Sequence, residues 1–319
     1  MIKTPKFWRS INIIAILLYP FSLIYLLIST IIFYIQKPKK FNTKIICIGN
    51  ATAGGSGKTP VAIMIGKLLK KNSYKIAYVC KNYLSTIKAP TKISKSHTTP
   101  DVVDESILLS KIADTFVAEN IIDALSEGDK CGYDYIITDD GLQNNKFYKD
   151  ISILTIDGQV GLGNNMILPS GPLRESLHNA LKKTDILLLI GEDKKHLLKK
   201  IHHPNIMHVA QKFELKDNKR DSKKYLAFSG IGYPEKFFKS LEDQKIHTVE
   251  TVEYPDHHIY DVEDIESLIK KAHNAGAALI TTEKDMIKIP DKYKAKISCL
   301  FIELFTDKEE ELLHKIENL

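Results

Sequence analysis

The chain has 319 residues, 44% of them hydrophobic, which is enough for two sizeable cores and excludes a disordered protein. A formal net charge of +6 favours anionic partners, either nucleic acid or an acidic membrane surface, and does not choose between them. The four cysteines have no metal-type spacing; Cys47, Cys80 and Cys299 lie in apolar runs and read as buried thiols of a reducing compartment.

From Ile11 to Ile35 the chain is almost continuously apolar, long enough to span a bilayer's hydrocarbon core. Lys3, Lys6 and Arg9 precede it and Lys37, Lys39 and Lys40 follow, so charge asymmetry gives no orientation. Pro20 predicts a kink, and the pattern also suits a helix lying in one leaflet. Residues 1–40 are therefore expected to form a membrane-associated helix.

A short β-branched run, Lys44 to Ile48, leads into Gly49-Asn50-Ala51-Thr52-Ala53-Gly54-Gly55-Ser56-Gly57-Lys58-Thr59-Pro60, after which Val61, Ile65, Leu68 and Leu69 share one helical face. Strand, glycine-rich loop and helix are the context of a phosphate-binding loop. Its backbone N–H groups and the helix N-terminus behind them form a donor cradle for a polyphosphate. Lys58 would reach the β- and γ-phosphates and Thr59 would ligate Mg²⁺. Thr52 stands where the usual pattern has glycine, and a glycine-rich turn capping a helix is the bland alternative.

Next come a strand, Ile76 to Cys80, and a polar connection to Pro100, long enough for a substrate or lid loop. Asp104-Glu105 opens a helix; two acids in a first turn also complement the helix dipole. Tyr133 to Thr138 is a buried strand ending in Asp139-Asp140-Gly141, which fits a Walker-B element, one carboxylate holding Mg²⁺ near Thr59. In an open parallel sheet the carboxyl ends of strands converge on one crevice, which would bring Asp139 and Asp140 beside the loop. A tight Asp-Gly turn is the alternative.

A strand from Ile151 to Ile156 precedes a loop rich in Gly, Asn and Pro that ends at Arg174-Glu175, either a shaped binding loop or a structural crossover. Asp185 to Ile190 is a further strand. Lysines are frequent from Lys194 to Lys224, and periodicity fades around 217–222, where a domain boundary is expected. Beyond it come a strand Tyr225 to Ser229, the turn Gly230-Ile231-Gly232, and a helix from Pro234 to Leu241. Tyr254-Pro255-Asp256-His257-His258 places two imidazoles beside a carboxylate, for catalysis, substrate contact or mere exposure. A helix from Val262 to Ala275, strands from Ala278 to Thr282 and Ser298 to Leu304, and a C-terminal helix complete the chain. Thr282-Glu283-Lys284-Asp285 misses the spacing of a guanine-specificity element, which favours ATP over GTP. No repeat, zinc spacing or RNA-binding signature is present.

The expected fold is α/β: a P-loop nucleoside-triphosphate-binding lobe with a parallel sheet (41–220), a second, smaller α/β/α lobe with a C-terminal helix (221–319), and the N-terminal helix (1–40).

In combination, the phosphate loop, Asp139-Asp140-Gly141-Leu142-Gln143, Leu168-Pro169-Ser170-Gly171-Pro172-Leu173-Arg174-Glu175, Gly230-Ile231-Gly232, Asp256-His257-His258 and Thr281-Thr282-Glu283-Lys284-Asp285 resemble the tetraacyldisaccharide 4'-kinase family of lipid A biosynthesis. The resemblance implies transfer of the γ-phosphate of ATP to the 4'-hydroxyl of an acylated glucosamine disaccharide 1-phosphate, at the cytoplasmic face of a bacterial inner membrane, with neither nucleic acid nor an obligate protein partner. It implies that Thr52, Ala53, Gly54, Gly55, Ser56, Gly57, Lys58 and Thr59 bind ATP and that Thr59, Asp139 and Asp140 hold Mg²⁺. Asp104 matches the proposed catalytic base and His257 its coupled histidine, while Glu105, Arg174, Glu175 and His258 fall on the substrate side. The family pattern is two α/β/α lobes joined by a small linker. This chain departs from it at Cys80-Lys81-Asn82, Val103, Ser106 and Asn144. A membrane-anchored nucleotide switch without kinase activity is the rival reading.

Overall fold

The computed structural model describes residues 5–55, 57–83, 85–216 and 224–318. Contacts divide the chain into two compact units, Pro5–Gln211 with Leu304–Leu319, and Lys212–Glu303. The boundary expected at 217–222 lies outside the described residues.

The first unit begins with the apolar helix α1 (Ile13–Ile35), whose N-cap Asn12 accepts from the Ala15 amide at 3.1 Å. Among the described helices, α1 alone is long and apolar enough to cross a membrane. Most of its large apolar side chains are exposed, and Ala15 and Ser22 are its buried residues.

Strands β1 (Lys44–Asn50), β2 (Ile76–Lys81), β3 (Thr91–Lys92), β4 (Asp114–Ala118), β5 (Tyr135–Asp139), β6 (Ile151–Asp157), β7 (Ile186–Ile190) and β8 (Ile206–Lys216) follow in the sequence. Their spatial order is β8-β7-β6-β1-β5-β2-β4-β3. All neighbours are parallel except β3, which pairs antiparallel with β4. Strands buried on both faces need nearly continuous apolar runs, and Ile45–Ile48, Ile136–Ile137 and Ile186–Ile190 supply them. The chain passes from β1 outward to β2 and β4, returns to β5 on one flank of β1, then continues as β6 on the other flank. That reversal makes the carboxyl end of β1 the switch point, the position where open α/β sheets bind ligands.

Helices α2 (Lys58–Lys71), α3 (Asp104–Ser110), α4 (Ile121–Asp129) and α5 (Leu177–Lys182) connect these strands. The apolar face of α2, Val61, Ile65, Leu68 and Leu69, joins the core with Ile46, Ile48 and Tyr78. Gly66 allows this approach, since a Cβ there would collide with the Tyr78 ring, whose hydroxyl donates to Ala62 O at 3.1 Å.

The second unit carries β9 (Tyr225–Ser229), β10 (Thr248–Glu253), β11 (Ala278–Thr282) and most of β12 (Ile297–Phe305), in the parallel order β10-β9-β11-β12. Helices α6 (Pro234–Asp243), α7 (Val262–Asn274), α8 (Glu283–Met286) and α9 (Asp291–Lys294) accompany them. One core lies around Phe228, Tyr260, Ile265 and Leu268, another around Phe237, Leu241 and Ile280.

The last helix, α10 (Glu309–Glu317), falls in the first unit rather than the second, where the sequence reading put it. Leu312 and Ile316, one turn apart, enter the core beside α2, and the Tyr74 hydroxyl donates to Glu317 at 2.6 Å. Cys47, Cys80 and Cys299 are buried as expected, and burial pushes the Cys47 and Cys80 thiols up.

Candidate active site

The first unit gathers its polar side chains at the carboxyl ends of β1 and β5. Gly57 caps α2 in the left-handed region at φ 79°, and a Cβ there would lie 2.7 Å from Ile190 Cδ1. Glycine therefore meets both the conformational and the steric demand. Asn50, fully buried at the end of β1, braces the loop by donating to Thr52 O at 2.6 Å and Gly54 O at 3.3 Å. Sequence reasoning did not single it out; a polar residue closing an apolar strand was the available signal. Ala53 N donates to Pro172 O at 2.7 Å, Arg174 N donates to Ala51 O at 2.8 Å, and Thr52 bridges Leu173. The loop is thus fastened to the Leu168–Glu175 motif. Ser56 lies outside the described residues.

Lys58 and Thr59 begin α2 and face the acid pair. Thr59 Oγ1 donates to Asp139 Oδ2 at 2.7 Å, and Lys58 Nζ is 3.7 Å from Asp140 Oδ2 and 3.4 Å from Asn50 Oδ1. Asp139 ends β5 in register with Ile48 of β1 and Cys80 of β2, as convergence of strand ends requires. It is buried, and its Oδ1 has no hydrogen-bond partner. Burial pushes its carboxyl up to about 6, against the opposing pull of Lys58 and Thr59. A buried oxygen without a donor beside a threonine hydroxyl is the donor set a hard cation takes, so these residues fit Mg²⁺.

Asp140 turns the chain in the left-handed region at φ 64°, and Gly141 follows where a Cβ would meet Cys47, Phe147 and Thr138. The Asp-Gly turn and the acid pair are thus the same feature: the turn sends Asp139 inward and Asp140 outward. Arg174 grips Asp140 with its two terminal guanidinium nitrogens, at 2.8 and 3.1 Å. Burial would raise the Asp140 carboxyl, but Lys58 and Arg174 outweigh it and hold it below the usual range.

Behind this pair, Gln143 donates to Asn50 O at 2.9 Å and Glu175 Oε1 at 3.1 Å, and its own oxygen takes the Arg174 guanidinium at 3.4 Å. Glu175 is buried and paired with Lys183 at 2.8 Å, which lies 3.7 Å over the Phe33 ring of α1. Helix α1 meets the same motif through Ser22, whose hydroxyl donates to Ile167 O at 2.8 Å, and the turn Lys6–Arg9 before it does so through Trp8 Nε1, which donates to Pro169 O at 2.9 Å.

Asp104 and Glu105 form the first turn of α3, Asp104 buried and Glu105 half-buried. Glu105 bears on both Asp139 and Cys80 electrostatically, which places it at the same end of the sheet. The departures around this turn are coupled. Asn82, fully buried, accepts from Val103 N at 3.0 Å and donates to Ile87 O and Asp101 O at 2.7 and 3.2 Å. Ser106 donates to Val103 O at 2.6 Å. Side chains therefore tie the start of α3 to the end of β2.

His257 and His258 belong to the second unit. His257 is left-handed at φ 59°, its amide donating to Asp256 Oδ1 at 3.0 Å and Gly230 O at 3.2 Å. His258 Nε2 lies 2.7 Å from Asp264 Oδ2, with its ring stacked on Tyr254 at 4.6 Å.

Residues 14–319 match the family model described as Tetraacyldisaccharide-1-P 4'-kinase. The chain is 38% identical over 313 residues to "Tetraacyldisaccharide 4'-kinase" of Rickettsia typhi, covering 98% of this chain and 97% of that one. It is 37% identical over 318 residues to the Rickettsia akari protein of the same name, covering 98% and 96%. Its fold is similar to a crystal structure of LpxK from Aquifex aeolicus, described as in complex with ATP, with TM-score 0.76, 24% identity, and coverage of 96% of this chain and 99% of that one.

Proposed function

The chain belongs to the Tetraacyldisaccharide-1-P 4'-kinase family, and on that premise we propose how its residues carry the reaction. It is an enzyme that transfers a phosphoryl group to the 4'-hydroxyl of a tetraacyldisaccharide 1-phosphate in lipid A synthesis. The donor is ATP, cradled by the amides of residues 52–59. The observation that carries this reading is the Thr59–Asp139 contact at 2.7 Å, with the second Asp139 oxygen buried and undonated beside Lys58.

Thr59 and Asp139, with Asp140 beside them, would hold Mg²⁺, which supplies charge neutralisation at the phosphates. Lys58 neutralises the oxygens of the transferring group; its neighbours Asp140 and Asn50 keep the ammonium at the loop mouth until nucleotide arrives. Arg174 holds Asp140 in place. A sugar hydroxyl is a poor nucleophile, so its proton needs an acceptor. Asp104 takes that proton, and His257 assists it; Glu105, Arg174, Glu175 and His258 lie on the substrate side. The exposed apolar surface of α1 supports association with the inner-membrane lipid surface, the enzyme working on its cytoplasmic face where ATP is available.

The test is transfer of labelled γ-phosphate from ATP to a tetraacylated glucosamine disaccharide 1-phosphate in detergent micelles. Wild type should form product, and Lys58→Ala, Asp104→Ala and His257→Ala should each lose at least about a hundredfold in kcat. Folded variants with wild-type rates would remove the residue concerned from the mechanism.

A further inference from the structure

The Thr281–Asp285 motif is not a guanine-specificity element, and its geometry gives it a different task. Thr282 caps α8 by accepting from the Asp285 amide at 3.0 Å. That cap sets the Asp285 carboxylate in the interior of the second unit, with no exposed surface. Its Oδ1 accepts from Gly230 N at 3.0 Å, the Tyr260 hydroxyl at 3.1 Å and Lys288 Nζ at 2.8 Å. Its Oδ2 accepts from the Ser229 and Thr282 hydroxyls, both at 2.7 Å. Burial pushes the Tyr260 hydroxyl far up, so it remains a donor.

Lys288 is 4% exposed and donates also to Gly230 O at 2.8 Å. Gly230 is therefore held at its N–H by the acid and at its C=O by the base. The same carbonyl accepts from His257 N at 3.2 Å. The Tyr254–His258 turn sits hard against this glycine: a Cβ there would lie 3.0 Å from Pro255 O and 3.2 Å from His258 Cβ. His257 is meanwhile held at φ 59°, a conformation that a non-glycine residue keeps only when its surroundings enforce it.

A buried ion pair is a poor way to gain stability, since well-packed apolar residues usually do as well. What apolar residues cannot do is fix the two polar groups of one glycine in direction. We infer that Asp285 and Lys288 are positioning residues for His257, fixing Gly230 so that its carbonyl and its close contacts hold the left-handed turn that aims the imidazole. This rests on the reading of His257 as a participant in phosphoryl transfer.

The experiment uses the full chain. Asp285→Asn/Lys288→Gln removes both charges without stranding either. Hydrogen exchange in the segment 254–260 should quicken at least about tenfold, with α7 unchanged. kcat should fall at least about tenfold with KM for ATP unchanged, and the same substitutions should cost nothing further in a His257→Ala background. Unchanged exchange in 254–260, or a loss that multiplies with that of His257→Ala, would overturn the inference. If His257→Ala alone keeps full activity, the catalytic reading of His257 falls while exchange still decides whether the pair holds the turn. Tyr260→Phe, which removes one donor from Asp285 and leaves the pair intact, gives the same readout in milder form should the double variant not fold.

Discussion

Asp139→Asn should make the ligand-free protein more stable and leave it without activity. Burial raises the Asp139 carboxyl from 3.8 to about 6. A shift of about two units, at about 1.4 kcal/mol each, corresponds to roughly 3 kcal/mol by which folding disfavours the ionised form. Between about pH 4 and pH 6 the folded chain keeps a proton that the unfolded chain has released, so this cost is absent below the window and complete above it. Wild type thus loses stability as pH rises through that range. Asparagine is neutral throughout and still accepts the Thr59 hydroxyl. The variant should exceed wild type by about 3 kcal/mol at pH 8, or roughly 4–5 °C in midpoint for a chain of 319 residues, the advantage fading towards pH 4. Calorimetric melts of both proteins at pH 8, 6 and 4.5 measure it. A variant no more stable at pH 8, or equally favoured at every pH, would refute the assignment of Asp139 as a carboxylate held at a desolvation cost. Millimolar Mg²⁺ should raise the midpoint of wild type and not of the variant.

Gly57→Ala combines a positive φ with a 2.7 Å approach to Ile190, so urea unfolding should show a loss of about 1–2 kcal/mol and the KM for ATP should rise. Arg174→Lys keeps the charge and gives up the two-nitrogen grip on Asp140; kcat/KM for ATP should fall about tenfold in a steady-state assay. Deleting residues 1–40 should abolish co-sedimentation with anionic lipid vesicles, and a truncated protein that still pellets with them would end the membrane reading of α1.

The phosphate loop was legible because its chemistry is local: strand, glycines, Lys58 and Thr59 fall within one short stretch. The Thr59–Asp139 contact was legible one step further, since parallel strands must deliver their carboxyl ends to one edge. Asn50, Gln143 and Asn82 were not, because an amide side chain announces neither its partners nor the loop it braces. The place of α10 was hidden for a related reason. Leu312 and Ile316 declare an apolar stripe, and nothing in a stripe names the core that receives it. Strand β8 was obscured by its lysines and its half-exposed pattern, which reads as a solvated run. The substrate-side assignments of Glu175 and His258 rested on motif position alone; the structure pairs one with Lys183 and the other with Asp264.

The stretch from Asn164 to Glu175 is hydrogen-bonded on one side to the N-terminal segment, through Trp8 before α1 and Ser22 within it, and on the other to the phosphate loop, through Ala53 and Arg174. It therefore acts as a strut between whatever α1 rests on and the nucleotide cradle. A preparation that trims the N-terminus for solubility is then a mechanically different enzyme: its phosphate loop keeps Asn50, Pro172 and Arg174, but the stretch it is fastened to has lost its bonds to Trp8 and Ser22. Rates measured on such a fragment would describe the fragment, and detergents chosen for yield would enter the kinetics as surely as the substrate does.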